Sequence, residues 1–357
     1  MKFFHISNVN LGNPEEFSLP IDRKKEYSED FRKIIRNCNE EKADLLFITG
    51  NLFAHVPSEA ELKEADALFA ALEGTRVFLL TGENDAPEKP EEALSYKWSS
   101  NVTVFAGDCI QRVYLSALNL EITGAGYAKS TWGKVRPETL SRGKKGAIQI
   151  LLLPFIESAS DNTVLSNVNY PFDYVGLGQT HYFKSGEGKT IYAPGSFEPE
   201  DFSGQLKHGC FAGTINVREK NHTTLDLRFL KTAGREYLTL QVNGEKDIDY
   251  SEVESRVREI ISQQGEKNIY RIILKGEASP SLYFMKNDLY RAGNVLEVLD
   301  ETSEDDMLRS LSESHAGDAV GRFLTKLQPD VDEEIRKKAI RYGIDALLFG
   351  QEERNDG

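Results

Sequence analysis

The sequence predicts an α/β protein: a four-layer αββα sandwich, then a small α+β domain and closing helices. Three observations predict it. Short apolar runs alternate with amphipathic stretches over residues 3–80, the βαβαβ order of a parallel sheet covered by helices. Over residues 102–230 the texture changes to short strands separated by turns, which implies a second sheet packed face to face on the first. Several strands also end the same way, in Gly followed by polar residues: Gly50-Asn51, Gly82-Glu83-Asn84-Asp85 and Gly178-Gln179-Thr180-His181. Such repetition points to one cleft at the carboxyl ends of the strands.

The first strand, Phe3 to Ser7, leads into Asn8-Val9-Asn10, and i, i+2 spacing at a strand end sends both amides into one site. Ser28 to Glu41 reads as a helix, with Phe31, Ile34, Ile35 and Cys38 at helical spacing. A strand over residues 43–49 follows. Ser58 to Leu72 is a second helix whose Ser58-Glu59-Ala60-Glu61 resembles a capping box. Strands are expected at 76–80, 102–105, 111–115, 118–123, 148–153, 172–177, 190–194, 209–217 and 223–230. Trp132 to Lys145 reads as a polar surface excursion.

A polar, Gly-containing stretch near Lys231 to Arg235 marks a boundary, giving a first domain over residues 1–232. Residues 233–300 then read as a βαβαβ cap. Its strands lie near 236–242, 268–275 and 294–299, an amphipathic helix over 250–263 and a short helix within 279–292. Residues 301–357 hold an acidic linker and two helices, Gly317–Leu327 and Asp332–Leu348. This hairpin either packs on the cap or docks a partner.

At 357 residues, with 39% hydrophobic and 28% charged residues, the chain can build a sizeable core. Its longest apolar runs are of strand length, and it opens directly on a strand with no cleavable-signal pattern. Cys38, Cys109 and Cys210 form no disulfide framework and no CxxC metal site. A cytoplasmic protein, not bound to membrane, is the expectation. The formal net charge of −14 repels polyanions, which leaves DNA binding weak at best. Arg23-Lys24-Lys25 and Arg142-Gly143-Lys144-Lys145 read as solvated basic clusters. No phosphate-binding glycine loop and no Ser/His/Asp arrangement is legible.

Taken together, these loops resemble those of the calcineurin-like metallophosphoesterases, in particular the SbcD-type DNA-repair exonucleases. That family carries, in order, D-x-H, G-D-x-x-D, G-N-H-D, a lone His after a strand, and G-H-x-H. The matching places here read Asn8-Val9-Asn10, Gly50-Asn51-Leu52-Phe53-Ala54, Gly82-Glu83-Asn84-Asp85, Pro154 and Gly178-Gln179-Thr180-His181. The family's Y-x-P-G-S-x-E-P segment matches Tyr192 to Pro199. The likeness covers about residues 1–230 closely and the remainder loosely.

The resemblance implies a site for two divalent metals that bind phosphate and generate hydroxide. Two dications about 3.5 Å apart repel by about 19 kcal/mol at an effective dielectric of about 20, which anionic ligands must offset. The bridging carboxylate matches the neutral Asn51, and its neighbour matches Asn8. Imidazole ligands match Asn10, Pro154 and Gln179, none of which can take that role. The proton-donating imidazole matches Asn84, the Asn ligand matches Glu83, and His181 alone survives in kind.

No functional catalytic residue is therefore expected. Glu83, Asp85 and His181 remain as weak metal ligands, with manganese or another divalent ion at reduced occupancy as the alternative to no cofactor. The expectation is an inactive structural or regulatory subunit of a coiled-coil SMC-type ATPase complex, docked through helices 317–348. A homodimer through Ser58 to Leu72 and Glu91 to Ser99 is a further partner reading. The alternatives are a metal-dependent DNA exonuclease with a rearranged site, and a nucleic-acid-binding module.

Overall fold

In the computed structural model, strand Lys2–Ile6 (β1) lies at the centre of a mixed sheet, buried on both faces. The structure describes residues 1–12, 19–107, 109–128, 140–154, 171–178, 184–185, 191–202, 207–217, 223–244, 249–276, 282, 285–302, 308, 311–326, 339–340, 342–344 and 346–347. The chain divides into two units: residues 1–16 with 20–234, and residues 17–19 with 235–357.

In the first unit, β1 is followed by helix Arg23–Glu40 (α1), strand Leu45–Thr49 (β2), helix Glu59–Ala70 (α2) and strand Arg76–Leu80 (β3). A short helix, Pro90–Ala93 (α3), and strand Val102–Phe105 (β4) come next. β1, β2, β3 and β4 run parallel in that order. The long hairpin Gly209–Val217 (β11) and Thr223–Lys231 (β12) completes the sheet, antiparallel on the other side of β1. The intervening strands are Gln111–Leu115 (β5), Leu120–Gly124 (β6), Ile148–Leu153 (β7), Tyr174–Leu177 (β8), Lys184–Ser185 (β9) and Ile191–Ala193 (β10). They form a second six-stranded sheet in the order β5-β6-β7-β8-β10-β9.

Strand alternation explains the layers. Phe3, Leu45, Phe47, Phe78 and Leu80 face inward and share one apolar cluster with Ile122, Ile150, Leu152 and Tyr174 of the second sheet. The alternate residues Phe4, Ile6, Leu46, Ile48 and Leu79 face outward and pack on Phe31, Ile34 and Cys38 of α1 and Ala65 and Phe69 of α2. Each such buried side chain contributes about 1.5–3 kcal/mol of apolar burial. Leu151, Leu153, Val175 and Leu177 form a buried cluster on the other face of the second sheet. The segments 129–139 and 155–170, including most of the expected surface excursion, lie outside the described residues.

Two local details differ from the sequence reading. α1 begins five residues earlier than expected, because the Asp22 carboxylate accepts the Lys25 backbone N–H and caps the helix there. Arg23 is consequently not part of a solvated cluster; it is buried, while Lys24 and Lys25 remain exposed. The α2 start follows the pattern: Ser58 accepts from Glu61 N–H, and the Glu61 carboxylate accepts the Ser58 N–H at 2.8 Å.

The second unit holds strands Tyr237–Gly244 (β13), Ile269–Gly276 (β14) and Val295–Thr302 (β15), all parallel, with β14 in the middle. Helix Tyr250–Gln264 (α4) packs Val253, Val257 and Ile261 onto Tyr270, Ile272 and Leu274. The short helix expected within 279–292 is a 3₁₀ turn over Lys286–Arg291. Helix Ala319–Lys326 (α5) buries Val320 in a separate cluster with Leu311, Ile340 and Ile344, and the described residues among 339–347 are helical as well. Residues 327–338, and with them the start of the second closing helix and Leu327, lie outside the described residues. Among the described residues no helix is long and apolar enough to cross a membrane.

Candidate functional site

The loops that follow β1, β2 and β3 come together at one end of the first sheet. Asn8, Asn10 and Asn51 all adopt left-handed backbone, with φ of 47°, 52° and 52°. Asparagine tolerates that region better than other side-chain-bearing residues. Backbone bonds lash the first two loops: Asn8 N–H donates to Gly50 O at 3.1 Å, Asn10 N–H to Asn51 O at 3.1 Å and Leu11 N–H to Leu52 O at 2.9 Å.

The Asn51 amide ties three loops. Its Oδ1 accepts the backbone N–H of Asn84 at 3.0 Å, which fixes the amide's orientation. Its Nδ2 must then face Asn8, and it donates to Asn8 Oδ1 at 3.0 Å. Gly82 is required for this approach, since a Cβ there would lie 2.2 Å from Asn51 Oδ1. Asn8 is almost wholly buried, and among the described residues its Nδ2 has no hydrogen-bond partner.

Asn8 and Asn10 do not share one direction, contrary to the i, i+2 argument. The strand ends at Ile6, and left-handed backbone at both asparagines breaks the alternation. Asn8 turns to Asn51, whereas Asn10 Nδ2 donates to Glu200 from the segment after β10.

Asp85 is buried beneath the third loop. Its Oδ1 accepts the Gly82 N–H at 2.6 Å and its Oδ2 the Phe53 N–H at 3.3 Å, so it braces two loops. Burial pushes its carboxyl up to about 6, against the pull of these backbone donors. Glu83 and Asn84 are exposed, and Pro154 is buried. Gln179 and His181 lie outside the described residues. Among the described residues no three His, Cys, Asp or Glu side chains converge on one point.

Two supports lie beneath the site. His5 is fully buried, with Nδ1 2.8 Å from the Tyr174 hydroxyl and Nε2 2.8 Å from Thr49 Oγ1. Burial lowers it to about 3, so it is neutral. Thr49 Oγ1 lies 3.4 Å from Ile6 O as a donor, which makes Nε2 the protonated nitrogen and Nδ1 the acceptor from Tyr174. The ring thereby joins the two sheets.

The second support is Arg23. It donates to Pro199 O at 2.9 Å, pairs with Glu26 at 2.7 Å and lies 3.6 Å from Glu198. Burial, then Asp30 beside it, pushes the Glu198 carboxyl up to about 9, partly countered by Arg23. The motif spanning Tyr192 to Pro199 is thus bound to α1, and Phe197 N–H donates to Asn8 O at 3.2 Å. No local signal marks Arg23, because the residues that bury it, Glu198 and Pro199, lie far along the chain.

No family model matches the chain. Among solved structures, the chain is similar to the crystal structure of Chaetomium thermophilum Vps29, at 14% identity over 64% of this chain and 96% of that one, with a TM-score of 0.25. The class that the fold and site define is an α/β protein of two facing mixed sheets with an amide-lined loop cluster.

Proposed function

We propose that the chain is a metallophosphoesterase-type scaffold of SbcD kind, a four-layer sandwich with a cap, that has exchanged metal catalysis for a structural or regulatory role. One observation carries the reading: Asn51 Nδ2 donates to Asn8 Oδ1 while Asn51 Oδ1 accepts the Asn84 N–H. At the places where the resemblance puts anionic metal ligands stand neutral amides, and Asn51 commits both its polar atoms to Asn8 and to the Asn84 backbone. Asp85 spends both oxygens on backbone N–H groups, and Pro154 has no side-chain donor atom. These groups do not fit two divalent ions, and no catalytic step is derived through metals.

The partner fitting this reading is a coiled-coil SMC-type ATPase, docked on the closing helices. Among the described residues, Val320, Ile340 and Ile344 cluster with Leu311 and share no member with the core under β13 to β15, which supports a separately packed element. Cytoplasmic location accompanies it.

The test is metal analysis of untreated full-length protein together with cleavage assays on single- and double-stranded DNA in manganese. No stoichiometric transition metal and no cleavage are expected. Stoichiometric metal with chelator-sensitive cleavage overturns the proposal in favour of an exonuclease with a rearranged site.

A further inference from the structure

Behind the amide cluster, the first unit contains a cavity of about 260 Å³ walled by Phe53, Val56, Leu62, Leu79 and Trp98, among others. It lies between the end of β3, the start of α2 and the segment following α3. Apolar surface continues beyond its mouth. Val56 is 52% exposed, and Leu94, between the wall residues Ala93 and Ser95, is 53% exposed. Large aliphatic side chains left in water at an apolar hollow mark a contact surface.

The exposed charge on the segment beside this mouth is net acidic. Over residues 83–97, Glu83, Glu88, Glu91 and Glu92 are exposed acids, against the exposed bases Lys89 and Lys97. Glu92 itself lines the cavity. A second copy of the chain docking here about a two-fold axis would set these acids against their own equivalents. A basic partner meets them with complementary charge.

We propose that this mouth is a docking surface for a basic segment of a partner protein, which inserts one bulky apolar side chain into the cavity. The inserted side chain rests on Trp98, itself held against Phe69 at a ring separation of 5.7 Å. The flanking bases face Glu91 and Glu92. The surface belongs wholly to the first unit, so it does not involve the closing helices.

The test uses the full chain carrying Trp132→Phe, which leaves Trp98 as its one tryptophan, because the sequence holds two. The probe is a synthetic peptide with a single phenylalanine flanked by lysines; its controls replace the phenylalanine with alanine, or the lysines with glutamates. The lysine-phenylalanine peptide is expected to shift Trp98 emission and to bind about tenfold more tightly than either control. Leu94→Ser and Glu92→Lys, both at exposed positions, are each expected to weaken it several-fold while thermal melting stays unchanged. No emission shift at millimolar peptide, equal binding of the alanine control, or indifference to both substitutions overturns the proposal. A monomer–dimer equilibrium in sedimentation that Leu94→Ser abolishes also overturns it, and assigns the surface to a second copy.

Discussion

Asn51 donates its amide hydrogen to Asn8 across 3.0 Å, and its other amide atom is already held by a backbone donor. The pair is directional, because Asn51 cannot turn over without facing the Asn84 N–H with a second donor.

Asn51→Asp therefore sets one carboxylate oxygen against Asn8 Oδ1, acceptor against acceptor, in a buried place. A loss of about 1–3 kcal/mol is expected at neutral pH. Protonation of the new carboxyl restores a donor, so the deficit shrinks as pH falls. Urea midpoints of wild type and variant at neutral and acid pH check this; a deficit independent of pH contradicts it.

Asp85 makes stability depend on pH in the opposite sense to an ordinary paired carboxylate. Its folded value of about 6 exceeds the usual 3.8, so the folded state binds the extra proton between those values. Its contribution is greatest below about 4 and is lost as pH rises through about 6, a change of about 3 kcal/mol. His5, lowered to about 3, works the other way and destabilises the fold as pH falls below its ordinary 6.5. The two oppose each other, so the comparison must be with Asp85→Asn. That variant leaves one of the Gly82 and Phe53 N–H groups without its acceptor. It should be less stable than wild type at pH 4, with the gap narrowing toward pH 6.5 in chemical denaturation.

Glu198 is held protonated by burial and by Asp30, with Arg23 acting against the shift. A raised carboxyl contributes stability that is full below its unfolded value of 4.5 and falls away as pH rises toward about 9. Glu198→Gln keeps the neutral form at every pH. Relative to wild type, the variant is expected to gain stability between pH 6 and 9, read as a difference in thermal midpoints. A constant difference across that range counts against the protonated state.

Ser58→Ala removes the α2 cap from an exposed position. A cost of about 1 kcal/mol is expected, because Glu61 N–H loses its acceptor and the reciprocal carboxylate bond loses its brace. Urea denaturation at neutral pH measures it.

The strands and the α2 cap were legible because their signals are local. Runs of four apolar residues, Leu45 to Ile48 and Val77 to Leu80, specify buried parallel strands, and Ser58 and Glu61 lie within one helical turn. The loop cluster was legible from its repeated glycines, yet the directions of Asn8 and Asn10 were not, since left-handed backbone at both depends on the loops they meet. Arg23 was misread for a related reason. Beside two lysines it has the pattern of solvated charge, and only the return of Glu198 and Pro199, some 175 residues later, buries it. The position of Gln179 and His181, and the layer over the second sheet, fall on segments outside the described residues.

The placement of β1 sets an order of events for synthesis. The strand pairs with β2 on one side and β11 on the other, and Met1 bonds Ile215 across a separation of 214 residues. As the chain emerges from the ribosome, β1 to β4 can pair early, but β1 keeps an open edge until β11 is made. The loop cluster waits equally long, because Asn8 and Asn10 find Phe197 and Glu200 only then. A nascent chain halted before residue 209 would display one edge of β1 as a bare template for pairing. Strand β1 is thus among the last strands of its sheet to gain both neighbours.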